Sequence, residues 1–523
     1  MNVMIPLFES FEKHRSHLAL GFDERWVSYR EIQEEVLKRA LWLQESGIRK
    51  GDRVGLMLPK GLSFIYWHLA ILGIGAISLP INPAHRPDEV LYLLTDAGGS
   101  LLITTSGLYE PLRKTLGAME GLWVLLLDGD APSGMISRLQ ATSQIRSDGF
   151  HPVPTDWDDT ALILYTSGTT GKPKGAMITH RNLIFNLQAL QDLWEWTSAD
   201  ILLHVLPLYH IHGLVAALHT ALFCGSKVIL MEKFDPRKAW EILERKKCTL
   251  FTAVPTIYYR MLREWESCRV DLSAMRIFIS GAAPLSELLF HRFAQTTGFR
   301  IMERYGMTEA GIIASNPLDP SRRLPKSVGY PLPGVEVAIL SEEKKILSPG
   351  EIGEVWVRGD NVFQGYWKNP EKTREALDGG WFRTGDLGFL DAADPGRIYL
   401  VGRAKELIIS GGENVYPLEV ESVLERHPAI QEAAVIGLPD EDFGERVTAV
   451  VTCKKGKTPP SAKEVIHYCK EHLVGFKCPK EVYFVEQLPR NSLGKVEKML
   501  LRQRLSASAE EPSFPGRHPL AHG

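Results

Sequence analysis

The sequence predicts an α/β protein built on mostly parallel sheets and divided into more than one packed unit. Three observations carry this. Short apolar runs (Arg53 to Leu58, Ala76 to Leu79, Leu101 to Thr104, Ala161 to Tyr165, Leu250 to Val254, Arg276 to Ser280) alternate with helical patterns, as parallel strands joined by crossover helices do. The chain has 523 residues, too many for one ordinary domain. Its character also changes around Arg403 to Glu406, where a smaller unit with its own strand and helix alternation begins.

Taken in order, Ser28 before Tyr29, Arg30 and Glu31 reads as a capping box, and Ile32, Val36, Leu37 and Ala40 fall on one face of the helix it opens. Gly61 to Asn82 is uncharged and long enough to suggest a membrane span. Gly73 and Gly75 interrupt it, however, and Pro80 and Pro83 end it. A buried helix, Leu62 to Leu72, followed by a short strand explains it better. Asp128 to Asp159 is polar, with Pro132, Gly134, Pro152 and Pro154, and reads as a connecting segment.

That segment leads to the strand Ala161 to Tyr165 and then to Thr166, Ser167, Gly168, Thr169, Thr170 and Gly171, with Lys172 and Lys174 on either side of Pro173. Glycines bring backbone N–H groups close to an anion, and hydroxyls and ammonium groups add donors and charge, so the loop suits a polyphosphate. It is not a Walker A loop, because two residues rather than four separate Gly168 from the Gly171–Lys172 pair, and Pro173 follows the lysine.

Beyond it, His210 and His212 lie in the apolar run Val205 to Leu222. No cysteine or carboxylate is close in sequence, so a packed pair is favoured over a metal site. TIYYRML starts an amphipathic helix that carries Arg260. Gly281, Ala282 and Ala283 follow a strand, where small residues let a flat ligand approach the backbone. In MERYGMTEAG, Arg304, Tyr305, Gly306, Met307 and Thr308 precede Glu309, the only acid of YGMTEAG, and a carboxylate suits Mg2+. Gly329 to Gly334 and Gly353 to Gly365 read as short strands of a small β subdomain. Asp386 sits in RTGDLG, a Gly-flanked turn. In the smaller unit, Glu419 to Glu425 and Ala462 to His472 read as helices, and Glu432 to Leu438 and Val447 to Thr452 as strands. Ser410, Gly411 and Gly412 form a glycine-rich loop, and Lys495 follows a glycine in another. Residues after Ser506 are polar and proline-rich and are expected to be disordered.

Composition narrows the class. Sixty basic and 63 acidic residues leave a net charge of −3, which gives no long-range attraction to nucleic acid or to an anionic membrane. Six cysteines without a CxxC pair suggest reduced thiols rather than a disulfide frame or zinc site, and hence a cytoplasmic protein. The first residues show no signal peptide.

TSGTTGKPKG resembles the phosphate loop of the adenylate-forming enzymes: acyl-CoA synthetases, adenylation domains and firefly-type luciferases. LPLYHIHG, YGMTE, RTGDLG and LPRNSLGKVEK extend the likeness from Trp26 to Leu505. The resemblance implies a large N-terminal domain of stacked α/β sheets with a small β subdomain (1–403), a small mobile α+β C-terminal lid (404–505) hinged at Lys405, and a tail (506–523). It implies an ATP-dependent, AMP-forming acid–CoA ligase that makes an acyl-adenylate and then a thioester. By position, Thr166 to Gly171 with Lys172 and Lys174 would hold the ATP phosphates. Gly281, Ala282, Ala283, Tyr305, Gly306, Met307 and Thr308 would line the adenine, and Asp386 and Arg403 the ribose. Glu309 and Thr166 would hold Mg2+, and His210 would border the acyl pocket. Ser410, Gly411 and Gly412 would border the tunnel for CoA, and Lys495 would stabilise charge at phosphorus.

Arg260 and Arg304 resemble the malonyl- and methylmalonyl-CoA synthetases, as do PLYHIHGL, SNP, VGYPLPGVE and DFGERVTAV. A second buried carboxylate needs cations, and guanidinium forks meet it bidentately. The plainer alternative pairs Arg304 with Glu303 and leaves Arg260 on a helix surface. The Ala-Gly-Ile-Ile run after Glu309 is more apolar than in bacterial malonate members, which keeps a substituted malonate or a medium- or long-chain fatty acid as alternatives. An oxygenase using the same adenylate and a non-catalytic nucleotide-binding protein are rivals of other classes. The joint presence of Lys495, Glu309 and Asp386 argues against the last. Expected partners are a small carboxylic acid, ATP and CoA, with no nucleic acid and no membrane span. Monomer and homodimer both stay open.

Overall fold

The computed structural model describes residues 1–117, 119–128, 151–166, 172–490 and 495–507. Phosphate-loop residues Ser167, Gly168, Thr169, Thr170 and Gly171, much of the connecting segment (129–150) and the tail from 508 onward lie outside them.

Among the described residues the strands form three sheets. In the seven-stranded sheet, Trp123–Leu126, Leu101–Thr104, Arg53–Leu56, Ile77–Pro80 and Thr160–Thr166 run parallel, and Lys174–Thr179 and Gly365–Tyr366 close one edge antiparallel. The fourteen-stranded sheet has a parallel part, in the order Leu18–Phe22, Lys227–Leu230, Ile201–His204, Leu250–Ala253, Ile277–Ser280 and Met302–Met307. From Gly311–Ser315 onward it continues antiparallel through Ser327–Pro331, Ile398–Arg403, Trp381–Leu390, Gly353–Arg358 and Glu336–Leu340. The β-rich part is therefore joined edge-on to the parallel part through the strand that carries Arg304 and Tyr305. In the small C-terminal domain a five-stranded sheet pairs Ile430–Asp440 antiparallel with Gly444–Cys453 and adds Glu481–Phe484 parallel.

The apolar run at residue 62 is a helix, Leu62–Gly73, in which Phe64 to Gly73 are all buried, followed by the strand Ile77–Pro80. It is apolar all round because it shares one core with strands of both larger sheets and with the helix His180–Leu193. Among the described residues no helix is long and apolar enough to cross a membrane. Ser28 and Glu31 close the expected capping box at the start of Tyr29–Glu45; Ile32, Val36 and Ala40 are buried and Leu37 only half-buried.

Asp386 departs from its local reading. RTGDLG lies inside the ten-residue strand Trp381–Leu390, with Asp386 directly opposite Arg403. Gly385, at φ 69°, bends this strand without ending it.

Candidate active site

In an open parallel sheet the ligand crevice lies beyond the carboxyl ends of the strands. Here Ile277–Ser280 and Met302–Met307 deliver their following loops to the same region. Gly281 begins the first loop, its N–H bonded to Ala253 O at 3.2 Å, and Ala282 takes the left-handed conformation at φ 69°. A Cβ on Gly281 would fall 2.4 Å from Arg304 Nε, so glycine is what lets the guanidinium lie flat against the loop.

Strand alternation decides the fate of the two charged neighbours on Met302–Met307. Glu303 accepts the N–H of Leu285 at 2.8 Å, and burial pushes its carboxyl up to about 8. Arg304 faces the other way. It is 4% exposed, and burial lowers its guanidinium from the usual arginine range. Among the described residues its Nε and Nη2 have no hydrogen-bond partner and no carboxylate pairs with it. A buried, unsatisfied guanidinium is costly unless an anion meets it. Arg260, by contrast, is exposed on the helix Pro255–Glu264, whose Tyr258, Met261 and Leu262 are buried.

The next alternation places Tyr305 OH on Asp386 Oδ2 at 2.5 Å, while Arg403 Nε meets Asp386 Oδ1 at 2.7 Å. Burial raises the Asp386 carboxyl, and Arg403 is the main opposing influence. Each carboxylate oxygen keeps a second lone pair, so the group can still accept from a sugar hydroxyl.

The Gly306–Met307–Thr308 turn leads to Glu309. Its Oε1 accepts from Thr166 Oγ1 at 3.3 Å and from Tyr366 OH at 3.1 Å. Lys174 Nζ lies 4.1 Å from the centre of the Tyr366 ring. Sequence reasoning missed Tyr366. It arrives through the two-residue strand Gly365–Tyr366, which pairs with Met177 and Ala176. Among the described residues no cluster of three or more His, Cys, Asp or Glu could cage a metal. One carboxylate with a nearby hydroxyl is a hard-oxygen set that suits Mg2+ sharing its other positions with phosphate and water.

The two histidines of LPLYHIHG part company. His212 is buried and bonds Thr252 Oγ1 through Nε2 at 2.9 Å. His210 is lowered to about 4, by burial first and then by Lys495 and His85. The turn between them and the preceding strand is tight: a Cβ on Gly213 would meet Pro207 O at 2.1 Å.

Lys495 brings the C-terminal domain into the candidate site. Its ammonium is disfavoured by burial and then by Arg403 and Arg304, and favoured by Asp386 and Glu309, so it sits among those four groups. Lys405 lies in the short turn Ala404–Glu406 and acts electrostatically on Lys174. Ser410, Gly411 and Gly412 form the turn of a lid hairpin between Ile408–Ser410 and Glu413–Val415, with both glycines at positive φ and the Gly411 N–H bonded to Phe443 O at 2.8 Å. Arg426 of the C-terminal domain meets Glu287 at 2.9 Å, and Lys326 meets the same carboxylate at 3.0 Å.

Comparison with known proteins places the chain in a family. A family model described as AMP-binding enzyme matches residues 7–367, and one described as AMP-binding enzyme C-terminal domain matches residues 419–495. The chain is 33% identical to a long-chain-fatty-acid–CoA ligase of Bacillus subtilis, over 95% of this chain and 93% of that one. It is 35% identical to the mitochondrial malonate–CoA ligase ACSF3 of Mus musculus, over 94% of this chain and 88% of that one. Among solved structures it is similar to ATP-bound MatB from Rhodopseudomonas palustris, with a TM-score of 0.89, 38% identity and coverage of 97% and 99%.

Proposed function

We propose malonate or a substituted malonate as the acid used by this chain, which belongs to the AMP-binding enzyme family and is an AMP-forming acyl-CoA synthetase. Its substrates are a carboxylic acid, ATP and CoA, with Mg2+ as is general in the family. The observation that carries the choice of acid is Arg304, a buried guanidinium with two unpartnered N–H-bearing nitrogens beside the groups around Lys495. The similarity to malonate–CoA ligases supports the same reading. A fatty-acid reading drew on the apolar residues after Glu309. Ala310, Ile312 and Ile313 are core residues, so packing already accounts for their apolarity.

In this reading one carboxylate of the acid is held by Arg304 and the other is left free to react. His210 is neutral above about pH 4, so it orients the reacting carboxylate by a hydrogen bond without neutralising it. A carboxylate oxygen bonds to the α-phosphorus of ATP, the bond from that phosphorus to the bridging oxygen breaks, and pyrophosphate leaves. Lys495 stabilises the charge gathered there, an electrostatic contribution that needs a preorganised cation. Asp386 and Arg403 hold the ribose, and Thr166, Lys172 and Lys174 hold the phosphates. Mg2+ held by Glu309 and Thr166 would neutralise charge on the polyphosphate. In the second half the CoA sulfur attacks the acyl carbon, the bond to AMP oxygen breaks, and the thiol proton is released. Lys495 fills the region a thiol would need, so the lid (404–505) turns about Lys405 against the body (1–403) and brings the Ser410–Gly411–Gly412 turn towards the new path.

The test is a panel of acids, including malonate, methylmalonate, hexanoate, octanoate and palmitate, assayed with ATP, Mg2+ and CoA for pyrophosphate release. The proposal requires malonate or methylmalonate to give the highest kcat/KM. A monocarboxylate ahead of both by tenfold would overturn it.

A further inference from the structure

Around Lys172 and Lys174 lies a cleft of about 260 Å3 whose walls include Tyr92 and Trp367 and whose other cations are Lys368 and Lys372. Among the described residues Lys172, Lys174 and Lys368 have no carboxylate partner, and Lys372 shares its charge with Glu375 at 2.7 Å. Asp96 also lines the cleft, but its Oδ2 accepts the Tyr165 hydroxyl at 2.5 Å. The aromatic walls hold the cations in place: Lys172 Nζ lies 5.4 Å from the Tyr92 ring centre and Lys368 Nζ 6.0 Å from that of Trp367. Lys368 also takes the left-handed backbone conformation, at φ 50°, just beyond the edge strand Gly365–Tyr366. Asp96 and Glu375 offset two of these four charges, and the positive charge that remains against low-dielectric walls focuses a positive field and draws in small polyanions.

Lys174 joins this cleft to the reaction site. Its ammonium stacks on Tyr366, whose hydroxyl is bonded to Glu309. Glu309 and Lys372 both act on it electrostatically, so it stands between the two regions. We propose that the cleft is a subsite for inorganic pyrophosphate, which passes over Lys174 after the α-phosphorus bond breaks and leaves the acyl-adenylate behind. The chemistry asks for such a site. Pyrophosphate must depart before CoA reacts, and it carries about three negative charges near neutral pH, so a route lined with ammonium groups favours its departure over that of the adenylate, whose phosphate carries one negative charge and which gains only one more when the acid is a malonate. The inference rests on the adenylating activity and is indifferent to which acid is used.

The test uses inorganic pyrophosphate itself. Enzyme saturated with a non-reactive acyl-sulfamoyl analogue of the adenylate, made from whichever acid the panel ranks first, is titrated with pyrophosphate, and the dissociation constant is measured at several salt concentrations. Lys368→Asn combined with Lys372→Gln removes two cations outside the phosphate loop, and asparagine suits the left-handed position. The expected result is a rise of about tenfold in that dissociation constant with a weaker salt dependence, a dissociation constant for ATP within twofold of the parent, and recovery in the double arginine variant. An unchanged constant overturns the proposal. So does an equal loss for ATP, which would mean a general field over the phosphate loop, or a loss confined to CoA, which would mark a site for its phosphates. Failure of every acid to yield an adenylate would instead strike at the ligase activity. Matching melting curves for parent and variants exclude misfolding as the cause.

Discussion

Replacing Arg304 by methionine isolates the charge from the packing. Methionine keeps an unbranched apolar stem of similar reach but has no N–H. In the parent, the guanidinium is 4% exposed and two of its nitrogens have no protein partner, so the distal carboxylate of malonate would be its main counter-ion. Breaking a buried ion pair by removing one partner costs about 3–5 kcal/mol. At about 1.4 kcal/mol per decade, kcat/KM for malonate should fall by roughly two to three and a half decades. Hexanoate has no second carboxylate, and its kcat/KM should stay within about threefold or rise, because the variant no longer buries an unpaired cation. The assay is pyrophosphate release with each acid at saturating ATP and CoA, alongside a thermal melt. Equal losses for malonate and hexanoate would mean that Arg304 shapes the pocket rather than choosing the acid, and an unchanged malonate value would remove its role altogether.

Lys495→Ala should reduce adenylate formation by about 10²–10³-fold while a supplied acyl-adenylate is still converted to thioester; normal pyrophosphate release by this variant would contradict the role given to the lysine. Glu303→Gln should flatten the dependence of stability on pH. The native carboxyl is raised to about 8, so between its unfolded value and pH 8 the folded state holds a proton that the unfolded state has lost. Stability therefore falls as pH rises through that window, by at most roughly 5 kcal/mol. Glu425, also raised to about 8, adds a slope of the same sign that the variant keeps. Melting temperatures of parent and variant that change in parallel from pH 5 to 9 would show that Glu303 is not the source. Arg426→Ala should slow adenylate formation up to about fivefold and spare thioester formation, because it removes a half-exposed lid-to-body ion pair worth about 1 kcal/mol or less. Single-turnover rates for the two halves that drop together would count against a latch.

The strands and helices that could be read from the sequence were those set by local punctuation. Leu62–Gly73 and Ile77–Pro80 follow from glycines and prolines that cut one apolar run in two, and the helix Tyr29–Glu45 follows from a capping box and period alone. Asp386 could not be read this way. Its glycine neighbours signal a turn, but pairing with Arg403 draws the segment into a strand, and that pairing is a property of the sheet rather than of the window. Tyr366 was invisible for a related reason, since its hydroxyl reaches Glu309 only because a two-residue strand docks on a partner about 190 positions earlier. The separation of Glu303 from Arg304 was there to be seen, because residues adjacent on a strand face opposite ways. What the sequence could not reveal is that Leu285 would satisfy the one and leave the other without a protein partner.

The bare backbone of Gly281 forms the wall on which the Arg304 guanidinium rests. A methyl group at 281 would fill no void; it would push the positive charge aside. Positions 281 and 304 therefore behave as a single tuning element, and changes at the two should be strongly non-additive. Redirecting the enzyme to longer, singly charged acids would start with both together: an apolar residue in place of the arginine, and then a small side chain at 281 to take up the room it vacates.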